Sequence, residues 1–282
     1  MRNIKLIIEY NGINYQGWQR QKNTQKTLQE VIEKTLAKIL KEDVRLIASG
    51  RTDAGVHAAG QVANFKTRTK MSTDKIKQAL NGLLADDIVI KKCQDVVLKF
   101  HARFDAKAKI YRYMILNQKY PTALWRDYVY FVPYKLDVRL MQKAARVLAG
   151  RHDFAGFQAR PVRNSYRYGR DRISNGTSDN IVRDSIRTIK RIKVYRVKDF
   201  TPDLAAFPKS STRNRNKALI FIDIEANSFL YKMVRNIVGT LIEIGEKRLP
   251  LEGIQEILRL KDRQFAGPTA PGYGLCLLRV KY

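Results

Sequence analysis

A mixed α/β (α+β) fold built of two halves is predicted by two patterns in the chain. Over residues 3–96, short runs of branched apolar side chains and amphipathic helical stretches follow the order strand, helix, strand, strand, helix, strand. That order is the split unit of ferredoxin-like folds, whose sheets are mainly antiparallel. Residues 106–282 repeat the element order without repeating the sequence. A length of 282 residues with 44% hydrophobic content is enough for one large core or two modest ones. The expected halves are 1–105 and 106–282, meeting through their sheets around a central cleft in which a ligand site forms.

Residues 3–10 (Asn3-Ile4-Lys5-Leu6-Ile7-Ile8-Glu9-Tyr10) read as the first strand. A polar loop with Gly12 and Gly17 follows and carries Tyr15, Trp18 and Arg20. Thr27-Leu28-Gln29-Glu30 has the spacing of a capping box, opening a helix with Leu28, Ile32, Leu36 and Ile39 on its inner face. Strands are expected at 44–49 and 57–65, a second helix from Ser72 or Thr73 to about Leu84, and a strand from Ile88 toward Val96. In the second half the spacing predicts a strand over 106–116 and a helix over 137–149, stopped by Gly150. Strands follow at 184–195 and 218–226, then a long helix over 229–244 ended by Gly245, a further helix after Pro250 and a last strand over 275–280. Residues 151–157 read as a local packing corner. Two segments look inserted: 160–180, with Arg160, Arg163, Arg167, Arg170 and Arg172 interleaved with Tyr166 and Tyr168, and 198–217, with a basic run over 213–217. Both read either as solvated surface loops or as a pair of RNA-gripping arms; arginine interleaved with tyrosine, which suits phosphate binding and base stacking, favours the second reading for 160–180.

The charge balance is the outlier of the composition. Fifty-four Lys and Arg face 26 Asp and Glu, a formal net charge of +28. A body so charged repels itself, and a polyanionic partner, nucleic acid before an anionic membrane surface, is the natural explanation. No apolar run approaches the roughly 20 residues of a spanning helix, and no signal-peptide pattern opens the chain, so a cytoplasmic protein is expected. The two cysteines, Cys93 and Cys276, are far apart and imply no disulfide. With His57, His101 and His152 they form no metal-ligand spacing, and there is no phosphate-binding or dinucleotide glycine loop. No cofactor and no metal are implied.

Between two predicted strands lies Ala48-Ser49-Gly50-Arg51-Thr52-Asp53-Ala54-Gly55-Val56-His57-Ala58. Its glycines permit a sharp turn or a close approach. Arg51 and Asp53, two apart, project from the same side in extended backbone, where a guanidinium holds a carboxylate ionised and oriented. Spacing alone also fits an Asx turn with a local ion pair.

Gly50 to Ala58 resembles the signature of the tRNA pseudouridine synthase A family, with its aspartate at Asp53. Further similar stretches are Phe100-His101-Ala102-Arg103-Phe104-Asp105, Ala106-Lys107-Ala108-Lys109-Ile110-Tyr111-Arg112-Tyr113, Asn227 to Gly239 and Gly267 to Leu275. The resemblance implies the pseudouridine synthase fold, two ferredoxin-like or RNA-recognition-like halves. It implies an isomerase acting on uridine in the anticodon arm of tRNA, without cofactor, as a homodimer whose subunits are bridged by one tRNA. Asp53 is then the nucleophile or electrostatic stabiliser. Arg51 and Arg235 hold it ionised and help fill the space left by an extruded base. Tyr111 stacks on uracil, with its phenol where the C5 proton leaves. Phe100, His101, Arg103 and Phe104 contact tRNA. Strand alternation is expected to leave only one of Tyr111 and Tyr113 facing the cleft, and the resemblance selects Tyr111.

Two other readings compete. A non-catalytic RNA-binding protein with two RNA-recognition-like halves explains charge and fold, but it leaves the Arg51/Asp53 turn without a task, and the surface aromatic motif of that module is not present. An aspartic hydrolase is suggested faintly by Asp53-Ala54-Gly55, but Ala54 occupies the hydroxyl position and no second copy occurs.

Overall fold

The computed structural model describes residues 1–159, 184–197 and 218–282. The candidate arms at 160–180 and 198–217 lie outside the described residues. Among those described, ten strands form one open sheet. The first half contributes β1 (Arg2–Tyr10), β2 (Ile47–Ala48), β3 (His57–Thr67) and β4 (Ile88–Val96), with helices α1 (Leu28–Leu40) and α2 (Thr73–Leu83). The second contributes β5 (Ala108–Asn117), β6 (Tyr130–Val132), β7 (Gly150–Asp153), β8 (Ile186–Arg196), β9 (Leu219–Ala226) and β10 (Leu275–Lys281), with α3 (Val138–Val147), α4 (Met233–Gly245) and α5 (Gly253–Leu260). The order is β4-β1-β3-β10-β5-β9-β8-β7, with β2 on β3 and β6 on β5. Pairing is antiparallel except for β10 with β3 and β6 with β5. The last strand of the chain therefore enters the middle of the sheet, between strands from before and after residue 105.

The core lies on one face. Ile4, Leu6 and Ile8 of β1 and Ile220, Ile222 and Ile224 of β9 are fully buried in one cluster with Ile32, Leu36, Ile76 and Leu80 of the first helices and Met141, Ile237 and Leu241 of the later ones. Period-two burial in the strands and one apolar stripe per helix are what the sequence pattern demands. A smaller cluster (Leu116, Val129, Ala218, Leu219), backed by Trp125, Tyr128 and Phe221, is separate from it.

Four local expectations change. The strand expected at 44–49 shrinks to Ile47–Ala48, because the chain then turns into the loop that carries Asp53. The Thr27 hydroxyl makes no capping hydrogen bond; the first amides of α1 instead donate to Gly17 O and Trp18 O, so a neighbouring loop satisfies them. The helix expected from 229 begins at Met233, because Lys232 adopts a left-handed conformation (φ 57°) that no α-helix continues through. The third short element, Gly150–Asp153, opens the packing corner as a strand; Phe154 and Phe157 are fully buried there.

Candidate active site

The loop between β2 and β3 is clasped by backbone from two other segments, the 12–18 loop and the turn at Gly272. Trp18 N donates to Thr52 O at 3.0 Å and Gly55 N to Tyr15 O at 3.4 Å. A Cβ at Gly12 would lie 2.0 Å from Val56 O, one at Gly17 2.8 Å from Thr52 O, and one at Gly272 2.5 Å from Ala54 O. Glycine is required at these approaches because backbone has no room to move aside. Side chains complete the clasp. Gln61 donates to Gly50 O (2.8 Å) and accepts from Ser49 Oγ (2.7 Å), while the Tyr10 hydroxyl bonds Thr52 Oγ1 at 2.8 Å.

His57 closes the far end of the loop. Its Nδ1 accepts from Gly12 N at 3.2 Å, and its Nε2 lies 2.9 Å from Asp127 O and 3.0 Å from Tyr273 O. An acceptor on one ring nitrogen and two carbonyls on the other select the neutral Nε2–H tautomer. Burial lowers the His57 pKa and favours the same neutral form, against the opposing pull of the two carbonyls. The ring stacks on Tyr128 at 5.0 Å.

Within this frame Asp53 meets a guanidinium from the other half of the chain. Arg235, in the first turn of α4, donates Nη1 to Asp53 Oδ2 at 2.9 Å and Nε to Ala270 O at 2.7 Å. The two side chains are only 22% and 15% exposed. Ala270 N in turn donates to Arg235 O, and a Cβ at Gly239 would collide with Pro268 O, so the 267–274 turn is fastened on α4. Thr269 and Arg263 complete that fastening through Asn236 Oδ1, at 2.6 and 3.2 Å. Arg51 lies exposed on the loop two residues before Asp53.

Strand register lines Tyr111 up with this pair. Tyr10 pairs Ala58, Leu277 pairs both Ala58 and Tyr111, and Tyr111 pairs Ile224, so one row of side chains crosses both halves on the helix-covered face. Tyr111 is 7% exposed and meets Phe229 edge-on at 5.2 Å. This explains where Phe229 goes when it is left out of α4. Burial drives the Tyr111 phenol pKa up, and the nearby Asp53 charge adds to that, so the hydroxyl stays protonated. The expected separation of the two tyrosines does not occur. Tyr111 and Tyr113 are two apart on an unbroken stretch against β9 and share one face, while Arg112 points to the other and grips Asp223 at 2.8 and 2.9 Å. They differ in what they reach: Tyr113 donates to Pro271 O at 2.9 Å and packs on Gly274.

The 100–105 turn splits in two. Phe100 turns inward against Tyr282, with Lys5 over its ring. His101, Arg103 and Phe104 face outward: the His101 ring stacks on Phe104 at 4.2 Å, Arg103 lies over it, and Phe104 is 70% exposed. Residues given no role in the site by the sequence are Gln61 and Lys109, together with Gly12, Gly17 and Gly272, which it named only within a loop and a similar stretch. For Lys109 a signal existed, since it lies two residues before Tyr111 in a strand and so on the same face.

Among the described residues no group of three or more His, Cys, Asp or Glu is arranged to hold a metal, and no helix is long and apolar enough to cross a membrane. Cys93 and Cys276 are free thiols.

Residues 6–105 and 144–282 match the family model described as tRNA pseudouridine synthase. Proteins named tRNA pseudouridine synthase A from Thermoanaerobacter sp. (strain X514) and Acetivibrio thermocellus are each 42% identical to this chain over 282 residues, covering 100% of both chains. One from Ruminiclostridium cellulolyticum is 43% identical with the same coverage. On a match that takes in both the Asp53 loop and Arg235, and on relatives 42–43% identical over the full chain, the chain belongs to the tRNA pseudouridine synthase family.

Proposed function

We propose that this protein isomerises uridine to pseudouridine in the anticodon arm of tRNA, with Asp53 as the reacting carboxylate. The observation that carries the reading is the Asp53–Arg235 pair, a half-buried carboxylate brought against a guanidinium from the other half of the chain beside a buried tyrosine. The reaction breaks the N1–C1′ bond of uridine and forms C5–C1′; N1 gains a proton and C5 loses one, so atoms and electrons balance without an oxidant or energy source. Asp53 meets the nucleoside while the base is detached, as nucleophile or as compensating negative charge. Arg235 orients it, and Arg51, exposed at the loop entrance, helps fill the space of the extruded base. Tyr111 stacks on uracil, and its protonated hydroxyl lines the path of the C5 proton as a relay, not as a phenolate base.

His101, Arg103 and Phe104 present a cation and stacked rings to solvent, the combination that binds phosphate and unstacked bases; Phe100 anchors their turn. The net charge of +28 supports a nucleic-acid partner. The reading extends to halves 1–105 and 106–282, from the order of elements, to a cytoplasmic protein, from composition, and to a homodimer bridged by one tRNA, from the sequence resemblance.

The test uses an unmodified tRNA transcript and the protein alone, reading pseudouridine formation through release of the uridine C5 hydrogen. Asp53→Ala and Asp53→Asn are expected to abolish the release while tRNA binding persists, since phosphate contacts supply most of the affinity. Wild-type turnover in either variant would remove Asp53 from the chemistry.

A further inference from the structure

Lys109 is a buried cation that the reaction does not use. It is 8% exposed, and among the described residues no carboxylate pairs with it. It lies on the Tyr111 face of β5, two residues along, with Ala226 of β9 opposite. Its stem runs against the loop that carries Asp53: a Cβ at Gly50 would sit 3.3 Å from Lys109 Cε and 3.4 Å from Nζ. An ammonium taken out of water without a counter-charge is costly, and such groups are ordinarily paired.

The surroundings add positive charge. Arg103 and Arg187 both act on Lys109 as like charges, and with burial as the larger cause they lower its pKa to about 8. Arg187 is itself incompletely satisfied. Its Nη1 donates to Asp184 O and Ile186 O, but its buried Nε has no partner. Lys109 beside Gly50 thus feels two further cations, one of which, Arg187, carries a buried donor without a partner. An anion seated beside these cations would offset both their repulsion and the burial of the ammonium.

We propose that Lys109, with Arg187 and Arg103 beside it, forms a phosphate site that seats a phosphodiester of the RNA backbone next to the target uridine. This rests on the reading of the protein as a tRNA-modifying enzyme. An extruded nucleotide swings about its own backbone, so a fixed phosphate on the Tyr111 face sets where the base arrives. Gly50 matters here for its missing side chain: a Cβ there crowds the ammonium in the position it takes to meet the phosphate.

The experiment measures tRNA-transcript affinity against chloride concentration for wild type, Lys109→Met, Lys109→Gln and Lys109→Arg, together with thermal unfolding of the free proteins. Expected is a roughly tenfold loss of affinity in the Met and Gln variants and a log–log salt slope shallower by about 0.7–0.9, the loss of one phosphate contact. The Arg variant keeps both. The Met variant unfolds at a higher temperature, because it removes an unpaired buried charge. An unchanged slope in both neutral variants, or a fall in their unfolding temperatures with affinity intact, overturns the proposal in favour of a structural lysine. In a further arm, inorganic phosphate at constant ionic strength produces no Lys109-dependent thermal shift; such a shift would assign the site to a free anion. Pseudouridine formation by the wild type is followed in parallel: its absence removes the assigned reaction, whereas unchanged slopes with the reaction intact remove only the phosphate site.

Discussion

Replacing Arg235 by Met leaves the Asp53 carboxylate facing a site built around a guanidinium. The bond between them is 2.9 Å long, and the side chains are 15% and 22% exposed. A hydrogen bond to a charged group contributes about 1.5–3 kcal/mol, and breaking a fully buried pair costs about 3–5 kcal/mol. The remaining exposure puts this pair near the lower range, about 2 kcal/mol. The bond from Arg235 Nε to Ala270 O is lost as well, which adds about 1 kcal/mol and loosens the 267–274 turn. Arg235→Met should therefore destabilise by about 3 kcal/mol. Asp53→Asn, which keeps an acceptor oxygen but loses the charge, should cost about 1 kcal/mol. The double variant should fall short of the sum by about 1 kcal/mol, since Asp53→Asn costs nothing more once Arg235 is gone. Urea unfolding of the four proteins measures this directly. A coupling energy below about 0.5 kcal/mol would refute the claim that the pair is an energetic link between the two halves.

Tyr111→Phe keeps the ring and its contact with Phe229 but removes the hydroxyl, so tRNA affinity should persist while turnover stalls; full activity would confine Tyr111 to stacking. Gly272→Ala places a methyl 2.5 Å from Ala54 O, beside Asp53, and the backbone must move. A displacement of about 1 Å at a reacting group costs on the order of 100-fold in rate; single-turnover kinetics with unchanged tRNA binding is the expected signature, and wild-type kinetics would show that the clasp is slack.

Much of this protein is legible along the chain. Branched apolar runs such as Ile4 to Ile8 and Leu219 to Ile224 can only be strands with one buried face, and the stripe Met233, Ile237, Leu241 can only be a helix against them. The Asp53 loop is visible as two glycines around a carboxylate between strands, but that pattern also fits an Asx turn, and it is the resemblance to the family that singles Asp53 out. The misreadings have local causes as well. The start of α4 depends on one left-handed residue, Lys232, and on Phe229 having an aromatic partner elsewhere; neither is a property of a 3.6-residue period. The capping box at Thr27 has the right letters, but the loop at 17–18 arrives first with its carbonyls.

The sequence by itself determined which segments are strands and helices, how basic the protein is and where its candidate carboxylate stands, because propensity, periodicity and charge are properties of neighbours in the chain. Only the tertiary structure decided who meets that carboxylate. Spacing offered Arg51, two residues away; the fold also brings Arg235, 182 residues on, to 2.9 Å. Insertion of the final strand between β3 and β5 brings the two halves into one sheet and carries Ala270, α4 and Tyr111 to the loop. The solitary burial of Lys109 belongs to the same category. A lysine in a strand shows its charge in the sequence, but that no carboxylate among the described residues pairs with it is decided only by the fold.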